Sequence, residues 1–137
     1  MTDPYKTFAS LLGRFLLALM FITAGFDKLT HIEATAGYVA SGGLPFPTLL
    51  AAAAGALEFF GGIALVVGWQ VRWAGLALAL FTLVASVVFP PYWSVPADQQ
   101  FVTQLLFMKN LSVAGGLWLV SALGAGPLSV DGARRKS

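Results

Sequence analysis

Arg14, Glu58 and Lys109 each stand inside a long apolar run, and Asn110 directly follows the last of them. An ionisable group in hydrocarbon costs at least ~2.5–3.5 kcal/mol on insertion scales, so each needs a partner or a task. Two cations, one anion and an amide offer two kinds of chemistry. They can pair with one another and fix helix register, which is a structural role. Alternatively, the spare positive charge and the amide line a pocket and donate to an anionic or carbonyl-bearing ligand, with Glu58 exchanging protons. Arg14, Glu58, Lys109 and Asn110 are therefore the candidate ligand-binding set. No residue is assigned a catalytic role.

The remaining side chains exclude more chemistry than they suggest. The chain has no cysteine, so a disulfide frame, an Fe–S cluster, a thiol nucleophile and a thiolate-held zinc are all ruled out. A single histidine, His31, rules out paired axial ligation of a haem by this chain alone. No metal site is expected, and any redox metal must come from a partner. His31 sits beside Asp27, Lys28 and Glu33, where a lone histidine reads as an interfacial residue. Asp27 and Lys28 read as a helix-end anchor, with Lys28 snorkelling outward. The formal charge of +2 is too small to imply nucleic acid.

What must position these charges is a membrane protein. Of 137 residues, 58% are hydrophobic and 10% charged, and the mean hydropathy is +0.80. A soluble domain carries about 25% charged residues, so this surface could not face water. The length allows one domain, residues 1–137. Crossing ~30 Å of hydrocarbon takes about 20 apolar residues, and four stretches qualify: about 8–28, 48–68, 71–89 and 101–123. The third stops at Pro90-Pro91, and the fourth runs into Gly124, Gly126 and Pro127. Arg14 interrupts the first stretch, which argues for a retained span over a cleaved signal peptide. The predicted fold is all-α, a four-helix transmembrane bundle.

Orientation follows from Lys and Arg. Lys6, Arg72, Arg134, Arg135 and Lys136 flank one side, while the loops near 30–47 and 90–100 hold none and carry Glu33 and Asp98. Both termini and the 68–71 turn are accordingly expected in the cytoplasm of a bacterial cell, with the chain in its inner membrane. Tyr5, Trp69 and Trp73 fall at the inner interface, and Tyr92 and Trp93 at the outer one. The first outer loop, with His31, Ile32 and Tyr38, reads as a short amphipathic segment on the membrane surface.

Helical spacing gives the faces. Around Glu58, the positions three, four and seven residues away include Ala51, Ala54, Gly55, Gly61 and Gly62, small residues that let helices approach closely. Arg14 shares a face with Ser10, Ala18, Gly25 and Lys28, and Lys109 shares one with Ser112 and Gly116. Gly25, Gly55, Gly61, Gly62, Gly115 and Gly116 are the expected helix-packing glycines. At ~1.5 Å per residue, Glu58 lies ~15 Å, Lys109 ~12 Å and Arg14 ~21 Å from the outer edge, so all three are within reach of one layer. Pairing of Glu58 with Arg14 or Lys109 is the expectation.

The ordered run of Arg14, Gly25, Lys28, Gly42-Gly43-Leu44-Pro45, Glu58 with Gly61-Gly62, Gly68 with Arg72, and Phe107-Met108-Lys109-Asn110 with Gly115-Gly116 resembles the DoxX family. These are small four-span bacterial membrane proteins, and the resemblance covers roughly residues 8–123. It implies a link to thiosulfate:quinone or quinol oxidoreductase subunits, to oxidative-stress complexes, or to membrane chaperones and cargo receptors. Many members carry a histidine near the outer end of the third span, where this chain reads Phe89-Pro90-Pro91-Tyr92-Trp93. The leading expectation is a small metal-free subunit of a quinone-linked oxidoreductase or oxidative-stress complex. It would bind a quinone or an anionic group at the polar cluster, near Phe59, Phe60 and Phe107, hold no covalent cofactor, and work with a redox partner or a second copy of itself. The alternatives are a non-catalytic scaffold that docks partner proteins and, third, a small transporter subunit.

Overall fold

The computed structural model describes residues 3–88 and 95–136. The Pro90-Pro91 stop, the Tyr92–Trp93 pair and the departure from the family histidine lie outside the described residues, as do the side chains of Arg135 and Lys136. Six helices follow in order: α1 Pro4–Thr30, α2 Ile32–Ser41, α3 Pro47–Val67, α4 Val71–Val88, α5 Ala97–Leu123 and α6 Val130–Lys136. No strand occurs among the described residues. Four of the helices, α1, α3, α4 and α5, are long and apolar enough to cross a membrane. The architecture is the expected all-α bundle.

Local chemistry sets the helix ends. Asp3 caps α1 by accepting from the Tyr5 amide at 2.9 Å, and Pro4 opens the first turn with its φ already helical. Gly68, at φ 76°, closes α3 in the left-handed region that a side chain would oppose. The start of α4 is capped from far along the chain. The two carboxylate oxygens of Asp131 accept from the Gln70 and Val71 amides at 2.8 and 3.0 Å. At 27 residues each, α1 and α5 run ~40 Å, longer than the hydrocarbon, so their ends reach into the interfaces.

Close approach of backbones organises the bundle into two helix pairs. α1 lies on α3 through Gly25, where an added Cβ would strike the Phe59 amide and come within 2.8 Å of the Gly55 carbonyl. Gly62 is also closely packed on α1, with the Ala18 carbonyl 3.2 Å from its would-be Cβ. α4 lies on α5 through Gly75, 3.0 Å on the same measure from the Leu117 carbonyl. The pairs meet near the 68–71 turn, where Gly61 faces Leu78 and both Leu65 and Leu78 are fully buried. α1 and α5 touch where Leu17 meets Gly116. Outward surfaces are apolar, as at Phe15, Leu19, Leu80, Val84 and Leu105, which suits a lipid solvent.

α2 is the helix into which the expected amphipathic segment folds. It packs on α3 at the end of the bundle away from the termini, burying Val39. His31 breaks the chain between α1 and α2, and Gly43, at φ 78°, begins the return toward α3.

Candidate functional site

Toward the α2 end, the two helix pairs leave a cavity of about 520 Å³ between them. Residues from the halves of α3 (Leu50 to Glu58) and α4 (Phe81 to Val88) farther from the 68–71 turn form facing walls, with Phe21 of α1 behind. α2 supplies Thr35, Tyr38 and Val39, and α5 supplies one residue, Asn110. Leu50 and Ala53 on α3 and Val84 on α4 line the cavity and are also exposed, so its mouth opens sideways between those helices, toward lipid. Burial of the Tyr38 phenol raises its pKa, which keeps it a neutral hydroxyl.

The charged residues of this lining differ from the expected set. Glu58 pairs with Lys28, not with Arg14 or Lys109: Lys28 Nζ lies 2.5 Å from Glu58 Oε1. The glycines explain how. Gly55 stands one helical turn before Glu58, and its missing side chain leaves room for the Lys28 stem, whose Cβ lies 3.1 Å from where a Cβ would be. Lys28 therefore lies across α3 and ends at Glu58 instead of snorkelling outward as an anchor. Its membership of the Gly25 face was the available signal, since that is the face α1 turns toward α3. Glu58 is 6% exposed, and Lys28 is the cation that compensates it.

Arg14 serves the other end of the bundle. Its Nη1 donates to the Leu65 and Val66 carbonyls at 2.8 and 3.1 Å, and Nη2 donates to Leu128 at 2.6 Å. These carbonyls belong to the last turn of α3 and to the segment after α5, so the buried guanidinium bolts three parts of the chain together. Arg14 is not brought to Glu58, and the single layer of three charges does not form.

Lys109 and Asn110 point different ways, as adjacent helical positions must. Asn110 lines the cavity, and its amide has no hydrogen-bond partner among the described residues. Lys109 is exposed on the outside of α5 and does not line the cavity. The hydroxyls of Thr82 and Ser86 are already committed to carbonyls of their own helix, both at 2.7 Å. The aromatic lining comes from Phe21, Tyr38 and Phe81, and none of Phe59, Phe60 and Phe107 contributes. Among the packing glycines, Gly25, Gly55, Gly61 and Gly62 make close contacts, Gly116 an ordinary one, and Gly115 faces open space. His31 pairs with Asp27 at 3.2 Å on the surface, both side chains exposed. No cluster of three or more potential metal ligands occurs among the described residues.

This arrangement of an intramembrane Arg, Lys and Glu on α1 and α3 can be set beside known proteins. The DoxX family model matches residues 9–91, which contain Arg14, Lys28 and Glu58. The chain belongs to the DoxX family. Similar DoxX-type relatives in Escherichia coli are the inner membrane protein YphA, 33% identical over 88% of this chain and 86% of that protein, and the inner membrane protein YqjF, 35% identical over 88% of each. A more distant similarity reaches the ER-derived vesicles protein ERV29 of Saccharomyces cerevisiae, at 28% identity over 94% of this chain but 34% of that longer protein. No solved structure matches the chain significantly. DoxX membership and the four apolar helices together make it an integral membrane protein.

Proposed function

We propose that this chain is a small subunit of a quinone-linked redox assembly in a bacterial inner membrane, with both termini cytoplasmic, and that its cavity holds the quinone head. The observation that carries this reading is the cavity itself: about 520 Å³, with a mostly apolar lining, exposed residues at its mouth, and Lys28, Glu58 and Asn110 among its polar lining residues. A membrane quinone needs an apolar slot for its tail and donors for its carbonyls. The Asn110 amide, without a hydrogen-bond partner among the described residues, and the ammonium of Lys28 are such donors. When bound, a quinone would supply two-electron, two-proton carrier chemistry. The chain's own residues bind and orient it, and Glu58 is the carboxylate beside it. With no cysteine and one histidine, the chain lacks the ligands for an Fe–S cluster or a paired-histidine haem, so electrons pass through a partner.

The test is purification in mild detergent, followed by lipid extraction and mass spectrometry for quinones. Quinone should copurify with the wild type and be lost from folded Lys28→Met and Asn110→Leu variants. Retention by both variants, or absence from the wild type, defeats the reading.

One observation favours the scaffold alternative as a second reading. Lys109 is exposed in the middle of α5, whose apolar window is 11% buried, and it has no ion-pair partner among the described residues. A partner helix would relieve that charge. Stable copurification of a partner protein that Lys109→Met abolishes, with no quinone present, favours this role.

A further inference from the structure

Resting on the reading that the cavity holds an amphiphile, we infer that the Lys28–Glu58 pair makes the site selective for neutral carbonyl-bearing ligands and excludes anionic ones of the same shape. Among the described residues, Lys28 and Glu58 are the only charged ones lining the cavity. They compensate each other at 2.5 Å, so the described lining has no net charge. Arg14 is committed to three carbonyls at the far end of the bundle, and Lys109 is outside the lining. No spare cation remains to receive a carboxylate or a phosphate.

Donors are present in surplus all the same. An ammonium carries three N–H donors, and Glu58 Oε1 is the only described ion-pair partner of Lys28. The Asn110 amide adds two more, unused among the described residues. A ketone or ester oxygen needs one of these and brings no charge. A carboxylate head would stand beside the buried carboxylate of Glu58 in a low-dielectric wall, or else displace it from Lys28 and leave it uncompensated. Both cost more than the hydrogen bonds return. Lys28 is the donor and Glu58 is the positioning residue: it holds the ammonium over Gly55 and cancels its charge.

The experiment compares methyl palmitate with palmitate, which share a chain and differ in head charge, by equilibrium binding to the detergent-solubilised protein at mildly alkaline pH. The wild type should bind the ester and take up palmitate at least ~10-fold more weakly. Glu58→Gln keeps the side-chain size and unmasks Lys28, so palmitate affinity should rise roughly tenfold or more. Adding Lys28→Met to Glu58→Gln should remove that gain. Equal binding of ester and acid by the wild type overturns the inference, as does a folded Glu58→Gln protein with no gain for palmitate. If Glu58→Gln does not fold, the wild-type comparison alone decides. Ester binding without quinone binding would sink the quinone reading and leave the charge selectivity standing. Binding of neither ester nor acid overturns the selectivity.

Discussion

At the residue scale, the two buried charges of this bundle solve the same problem in opposite ways. Glu58 is compensated by one cation in direct contact, and Arg14 mainly by three backbone carbonyls, with the Asp131 carboxylate acting on it through space. This predicts where energetic coupling lies. In a double-mutant cycle monitored by unfolding in detergent, Glu58→Ala and Lys28→Ala should couple by about 1–3 kcal/mol. That is below the ~3–5 kcal/mol for breaking a fully buried pair, because the Lys28 side chain is 31% exposed and can extend toward the interface. Cycles of Glu58 with Arg14 or with Lys109 should show no coupling beyond ~0.5 kcal/mol. Coupling to Lys109 instead would mean that α5 rotates from the described orientation. Arg14→Met should cost about 2–4 kcal/mol by itself, since it strands carbonyls at a buried helix end. The sequence showed that these charges need partners but not which partners. Depth along a helix is legible from residue number; azimuth is settled by which glycines the neighbouring helix presses against.

Helices are the elements in which most of the fold was legible. The spans expected at 48–68 and 71–89 correspond to α3, Pro47–Val67, and α4, Val71–Val88, because Pro47 and Gly68 punctuate them and the apolar signal fills the space between. α1 and α5 run beyond the expected 8–28 and 101–123, since a helix continues into the polar interface where hydropathy no longer reports it. The segment after Gly124 reads in the sequence only as a helix stop and a basic tail, with no sign that it packs back on the bundle. It is polar and short, yet its Asp131 caps α4 and its Leu128 carbonyl receives Arg14. Asp131→Ala should therefore lower stability by about 1–2 kcal/mol, as loss of an N-cap does, although sixty residues separate the partners. The packing glycines give a sharper contrast. Gly25→Ala puts a methyl into the α3 backbone and should cost several kcal/mol or prevent assembly. Gly115→Ala meets nothing within 4 Å and should change stability by less than ~1 kcal/mol, in the stabilising direction that alanine's helix propensity favours. Both follow from the same thermal-unfolding series. If Gly25→Ala were tolerated as well as Gly115→Ala, the close α1–α3 contact would be wrong.

The whole molecule has two chemically different ends, and the fold sharpens an asymmetry that the sequence only outlined. The Ser10 hydroxyl donates to the Ala125 carbonyl, and the Gln70 and Val71 amides donate to the Asp131 carboxylate, which gathers the start of α1, the α3–α4 turn and α6 at one end. That end holds Lys6, Arg72 and Arg134, and the Arg72 guanidinium lies 5.5 Å from the Trp73 ring, a cation–π contact suited to an interface. The other end holds α2 with Glu33, the start of α5 with Asp98, and the cavity. Translocating the basic end, with Lys6, Arg72, Arg134, Arg135 and Lys136, would carry these cations across against the membrane potential, each at ~2.3 kcal/mol per 100 mV. The acidic end carries no such penalty, which supports the proposed orientation, with the basic end cytoplasmic and the cavity in the outer half of the bilayer. Absence of native cysteines makes the test clean. Single cysteines at Ser41, Ala97 and Ala133, all exposed, should report sidedness to an impermeant maleimide. Ser41→Cys and Ala97→Cys should label in intact cells, and Ala133→Cys only after permeabilisation. The reverse pattern would invert the bundle and move the cavity to the cytoplasmic leaflet. Labelling of Ala133→Cys together with Ala97→Cys from outside would contradict α5 as a span, and with it the Asn110 wall of the cavity.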